Sequence, residues 1–251
     1  MIKKILISQP APASAAHNPY ADFKSGLGVD VVFHPFIKVV PVTEREFRNQ
    51  KVNILSHNAV VFSSRYSIDY FFHVCQLLRI KVPDDMKYFG ISEKVMLYIQ
   101  KYVQYRKRKV FFSPTGRWED LVPAMLKHKS DHFLIPQNSE HNNDVTSLMA
   151  ANGLNFTECV MYRTVPNALA EGSSLNDFDA VVLFTPSGVK SLVSNFPEWQ
   201  QGDTRLICFG DSACREVEHS ALRLDFSQRN TAGMSIAKVL ETYITQANAA
   251  G

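Results

Sequence analysis

The 251-residue sequence has little of what usually betrays a mechanism at first reading. Its four cysteines, Cys75, Cys159, Cys208 and Cys214, include no C-x-x-C pair, so no zinc or dithiol motif is present. They lie in helix- or strand-like surroundings, which points to buried free thiols in a reducing compartment. The eight histidines form no ligand set. His128 and His132 are four apart, but Ser130 and Asp131 between them read as a loop, so no metal is expected. There is no G-x-S-x-G, P-loop, G-x-G-x-x-G or H-E-x-x-H, which removes the familiar hydrolase, nucleotide and zincin readings.

Long hydrophobic runs are missing too. Apolar stretches stop at about five residues, far short of a membrane span. The opening Met1-Ile-Lys-Lys-Ile-Leu-Ile-Ser8 has three apolar residues after its two lysines, too few for a signal-peptide core, and reads as a first strand. Net charge is only +3, compatible with an anionic small molecule and too small to argue for nucleic acid. The basic run Arg106–Lys109 has no aromatic-rich sheet beside it and reads as a solvated corner. With 45% hydrophobic and 20% charged residues, the chain has the composition of a soluble globular protein. Its length suits one large or two modest domains.

What is present is a repeated layout. One copy runs Ala59-Val-Val-Phe62-Ser63-Ser64-Arg65, an amphipathic segment, then Met86-Lys-Tyr-Phe-Gly90-Ile-Ser92. The other runs Ala180-Val-Val-Leu-Phe184-Thr185-Pro186-Ser187-Gly188, an amphipathic segment, then Leu206-Ile-Cys-Phe-Gly210-Asp-Ser212. Phe62 to Gly90 is 28 residues and Phe184 to Gly210 is 26. Each copy predicts a strand buried on both faces, a hydroxyl-bearing turn, a helix, a second strand, a glycine and a second helix. Turns at the carboxyl ends of such strands lead into helix N-termini, where free N–H groups and the dipole favour anions.

The stretch Val29–Val42 is extended and contains Pro35 and Pro41, so it is expected to leave one sheet and cross elsewhere. Phe156–Val165 is a second extended stretch. Together they predict a discontinuous first domain of residues 1–38 and 165–251, a second domain of 43–160 inserted into it, and linkers near 36–42 and 160–166. Helices are expected near 20–26, 43–50, 117–128, 145–151 and 235–245. Strands are expected at 3–7, 110–112, 132–135 and 222–226, with a polar loop over 137–143.

The hydroxyls Ser63, Ser64, Ser92, Thr185, Ser187 and Ser212 all fall at strand ends. Each could simply cap its helix. Their recurrence in both copies suggests instead a cleft lined by hydroxyls and backbone N–H groups, suited to carboxylates or phosphates. Tyr162 lies on the return crossing, either packed there or turned toward such a gap.

The segments Phe-Ser-Ser-Arg (62–65), Phe-Gly-Ile-Ser (89–92), Met-Tyr-Arg-Thr-Val-Pro (161–166), Phe-Thr-Pro-Ser-Gly (184–188) and Phe-Gly-Asp-Ser-Ala (209–213) together resemble the uroporphyrinogen-III synthase family, in its order and near its spacing. The resemblance implies an α/β protein of two flavodoxin-like parallel-sheet domains joined by a two-stranded linker, with a cleft between them. It implies a cytoplasmic, monomeric, cofactor-independent lyase of tetrapyrrole biosynthesis, binding neither nucleic acid nor membrane. The substrate it implies is hydroxymethylbilane, closed to uroporphyrinogen III with loss of water and inversion of the last ring. Tyr162 matches the family's tyrosine, implying a catalytic role. Ser63, Ser64, Gly90, Ser92, Thr185, Ser187, Gly188, Gly210 and Ser212 are implied to bind substrate. Ser8-Gln9-Pro10 stands where the family opens Thr-Arg-Pro, and Ala213 replaces a threonine. Those departures motivate an alternative, a homologue of little or no activity that binds an anionic tetrapyrrole or another polyanion.

Overall fold

In both copies of the repeat the short apolar run is a strand whose alternate residues enter two different cores. Along β4 (Ala59–Phe62), Val60 and Phe62 join one cluster while Ala59 and Val61 join another. Along β9 (Ala180–Leu183), Ala180 and Val182 part from Val181 and Leu183 in the same way. Side chains of a strand alternate between faces, so a run apolar throughout must be covered on both. The structure, a computed structural model, describes residues 1–14, 16 and 18–249. The chain divides into two compact units, Met1–Lys38 with Val165–Gly251, and Val39–Thr164.

The first unit holds a five-stranded sheet in the order β11-β10-β9-β1-β2, parallel at every pairing. Its strands are β1 (Lys4–Ile7), β2 (Asp30–Phe33), β9, β10 (Arg205–Phe209) and β11 (Phe226–Gln228). Helices α6 (Pro186–Asn195), α7 (Asp211–His219) and α8 (Ile236–Ala249) supply its covering layers. Leu240 and Ile244 of α8 pack with Ile5, Ile7 and Val182. Val189 and Leu192 of α6, with Cys214 and Val217 of α7, pack on the opposite face.

The second unit holds a six-stranded sheet in the order β3-β8-β7-β4-β5-β6. Its strands are β3 (Ile37–Pro41), β4, β5 (Lys87–Gly90), β6 (Val110–Phe112), β7 (His132–Asn138) and β8 (Asn155–Pro166). Pairing is parallel from β8 through β7, β4 and β5 to β6. Helices α1 (Glu44–Asn49), α2 (Arg65–Leu77), α3 (Glu93–Leu97), α4 (Val122–Leu126) and α5 (Asp144–Ala151) complete it. Helix α2 buries Ile68, Phe71, Val74 and Cys75, while Phe72 and Leu78 of its apolar stripe are only partly covered.

Several elements differ from expectation. The run Val29–Val42 is two strands in two sheets, β2 and β3, with the break at residues 34–36. The 20–26 helix is a five-residue π-turn, Phe23–Leu27, closed by Gly28 at φ +67°. The 117–128 helix contracts to α4, five residues long. The strand expected at 222–226 begins only at Phe226, because the carboxylate of Asp225 takes the backbone N–H of Leu206 at 2.9 Å and so replaces a ladder bond. Strand β7 instead runs three residues further, through Pro136 to Asn138. Pro136 has no N–H to donate, and the pairing with β4 stops at Leu134, two residues before it.

Candidate active site

In an open parallel sheet the chain turns one way and then the other from a central strand, and ligands lodge beyond the carboxyl ends at that switch point. In the second unit the switch lies between β4 and β7, because β4 leads through α2 to β5 on one side while β7 lies on the other. A cavity of about 250 Å³ opens there, lined by Val61, Ser63, Trp118, Ile135, Gln137, His141 and Tyr162 among others. The end of the β4–β7 ladder at Leu134 is what parts the two strands beneath it.

Tyr162 reaches this cavity from β8. Pairing with β7 carries a register shift between Gln137 and Asn138, so that Gln137 lies opposite Val160 while Asn138 lies opposite Tyr162. Such bulges re-aim side chains next to functional sites. Tyr162 is 6% exposed and stacks on Tyr70, ring centroids 5.1 Å apart. Burial pushes its phenol pKa above the ordinary tyrosine value, while the hydroxyls of Ser64 and Ser63 draw it back in the other direction. The phenol is therefore a proton-bearing donor at neutral pH.

Ser64 is the N-cap of α2, and its hydroxyl accepts from the Ser67 N–H at 3.2 Å in a reciprocal capping box. Ser63, one residue earlier, is exposed on the cavity wall. Arg65 follows and lays its guanidinium over the Tyr98 ring, 5.1 Å from its centroid. Ser92 caps α3 through the Val95 N–H at 3.3 Å. Gly90 ends β5, where an added Cβ would stand 2.1 Å from the buried Met96 Sδ. Packing alone therefore asks for glycine at that position.

The first unit repeats the arrangement on its own carboxyl edge. Thr185 caps α6 by accepting from the Gly188 N–H at 3.1 Å, with Pro186 at the first helical position. A Cβ on Gly188 would come within 3.2 Å of that threonine oxygen. Gly210 is the N-cap of α7 at φ +90°, a conformation that favours glycine. Ser187 and Ser212 occupy the first turns of α6 and α7, both exposed. Asp211 lies beside Ser212, ion-paired with Arg229 and Arg215, and hydrogen bonds from those two guanidiniums hold its carboxyl below the usual range. The N-terminus of α7 thus carries a carboxylate of its own.

Of the residues singled out in the sequence, the structure brings Ser63, Ser64 and Tyr162 together. Gly90 and Ser92 lie at the neighbouring β5 turn of the same unit. Thr185, Ser187, Gly188, Gly210 and Ser212 belong to the first unit. Gln137 falls in a stretch whose sequence reads as loop. It is 6% exposed, it lines the cavity, and its side-chain carbonyl has no hydrogen-bond partner among the described residues. Only its place two residues after an apolar strand, behind Pro136, hinted at it.

Comparisons with known proteins follow the same line. The family model for uroporphyrinogen-III synthase HemD matches residues 21–233. The crystal structure of uroporphyrinogen-III synthetase from Helicobacter pylori is similar at 13% identity, covering 98% of this chain and 100% of that one with a TM-score of 0.57. A mutant uroporphyrinogen III synthase from the extremely thermophilic bacterium Thermus thermophilus is similar at 12% identity, covering 97% and 99%, with a TM-score of 0.51. At such identities the structural likeness speaks to the fold alone. No curated protein sequence matches.

Proposed function

Because the chain belongs to the uroporphyrinogen-III synthase family, we propose that it cyclises hydroxymethylbilane to uroporphyrinogen III, losing water and inverting the last pyrrole ring. The observation that carries the reading is the family match over residues 21–233, with a buried, protonated Tyr162 at the carboxyl-end cavity of the second unit.

Tyr162 donates a hydrogen bond to the departing hydroxyl of the substrate. A phenol held away from water makes a stronger hydrogen bond than one in bulk solvent. Ser63 and Ser64 hold the phenol in place. The substrate carries eight carboxylates, which suit neutral donors: Ser63, Ser64, Ser92 and the backbone at Gly90 on one carboxyl edge, and Thr185, Ser187, Gly188, Gly210 and Ser212 on the other. Uncatalysed closure gives the symmetrical, non-inverted isomer, so holding the chain in a folded shape matters as much as helping the leaving group. The enzyme works in the cytoplasm as a monomer without a cofactor.

Incubating purified protein with hydroxymethylbilane and separating the product isomers tests the reading. Uroporphyrinogen III in excess of an enzyme-free control supports it, and isomer I alone would contradict it.

A further inference from the structure

Gln137 has an unusual standing in the second unit. The residue is only 6% exposed, yet its Oε1 has no partner among the described residues. Buried carbonyls without a donor are rare, and each calls for an explanation. Retaining one costs stability, since the same volume filled by an apolar side chain leaves nothing unpaired. The pairing with β4 has already stopped at Leu134, Pro136 has no N–H with which to resume it, and the register shift against β8 follows at Gln137. Gln137 itself lines the cavity that Tyr162 and Ser63 also line.

An amide carbonyl only accepts hydrogen bonds. It has nothing to offer a carboxylate, so it is not another anchor for the acidic arms of a substrate. Its natural ligand is a neutral N–H donor brought into the cavity. Resting on the function proposed above, we infer that the Gln137 carbonyl accepts a hydrogen bond from a pyrrole N–H of the substrate and holds that ring against Tyr162. Hydroxyl and amide donors then grip the carboxylates while this acceptor fixes the orientation of one ring plane, the coordinate that decides which carbon closes the macrocycle.

The test compares wild type with Gln137→Leu and Gln137→Met, two replacements that remove the carbonyl and keep most of the volume. Steady-state kinetics with hydroxymethylbilane, product isomer analysis and thermal melts are measured on all three. The expected result is a fall of about tenfold in kcat/KM in both variants, the loss of one hydrogen bond from a buried partner, with a larger share of isomer I and a Tm that holds or rises. A purely structural role would instead lower Tm and leave kcat/KM of the folded protein unchanged. A folded variant with kcat/KM within about twofold of wild type would overturn the inference while leaving the synthase activity standing. Should wild type yield only isomer I, the function fails, and equilibrium binding of hydroxymethylbilane decides the separate question. Roughly tenfold weaker binding by both variants sustains the acceptor role, and equal binding, or none by wild type, overturns it.

Discussion

The ring of Tyr162 lies on the ring of Tyr70, centroids 5.1 Å apart and planes 19° from parallel. Tyr70 in turn donates its hydroxyl to the Val39 carbonyl at 2.7 Å, so the lower ring is tied to β3. The stack fixes the plane of Tyr162, and Ser63 lines the same cavity as the phenol. The position of the hydroxyl group is thereby decided by packing rather than by a flexible side chain.

Replacing Tyr162 with Phe keeps the stack and removes only the donor. We expect kcat to fall on the order of a hundredfold, the lower end of what a positioned proton donor contributes, with stability changed by less than about 1 kcal/mol. Wild-type turnover in the Tyr162→Phe protein would take the phenol out of the mechanism.

The four cysteines predict a chemical and a pH response. All are buried and free, and burial pushes the thiols of Cys75 and Cys159 up to about 12, with Cys208 and Cys214 also raised. An unfolded thiol has a pKa of about 8.5. Above that pH the unfolded chain gives up protons that the folded chain keeps, so stability is complete below it and falls as pH rises toward the folded values. Urea midpoints should hold steady up to pH ~8 and drop progressively beyond. Native protein at neutral pH should resist a thiol reagent that labels all four cysteines in denaturant, and rapid native labelling of Cys75 would refute the buried assignment.

Gly90 separates packing from binding. A Cβ at that position overlaps the Sδ and Cγ of Met96, which is fully buried and has little room to retreat. Gly90→Ala should destabilise the protein by about 1–3 kcal/mol, seen as a lower denaturation midpoint. Unaltered stability would mean that the Met96 side chain repacks freely.

The strands most legible in the sequence were β4 and β9, since a run apolar at every position can only be covered on both faces. The caps were legible for a similar reason: Ser64, Ser92 and Thr185 each precede a helical stripe, and each hydroxyl accepts an N–H from the first turn. Tertiary pairing overrides local signals elsewhere. Pro136 resembles a strand terminator, yet β7 continues past it because β8 still pairs on the other side. The burial of Gln137 follows from that continuation, so a polar residue in a polar stretch looked like loop. Asp225 misled in the opposite sense, its carboxylate standing in for a ladder bond so that β11 starts late. The hydroxyls themselves were visible, but the placing of Tyr162 beside Ser63 depends on a register shift that no spacing in the chain records.

The most direct measurement is the isomer composition of tetrapyrrole formed from hydroxymethylbilane by the purified wild-type protein against an enzyme-free blank. Predominant uroporphyrinogen III, sharply diminished by Tyr162→Phe, is the outcome expected of a synthase built around that phenol. A product indistinguishable from the blank, with isomer I throughout, would contradict it.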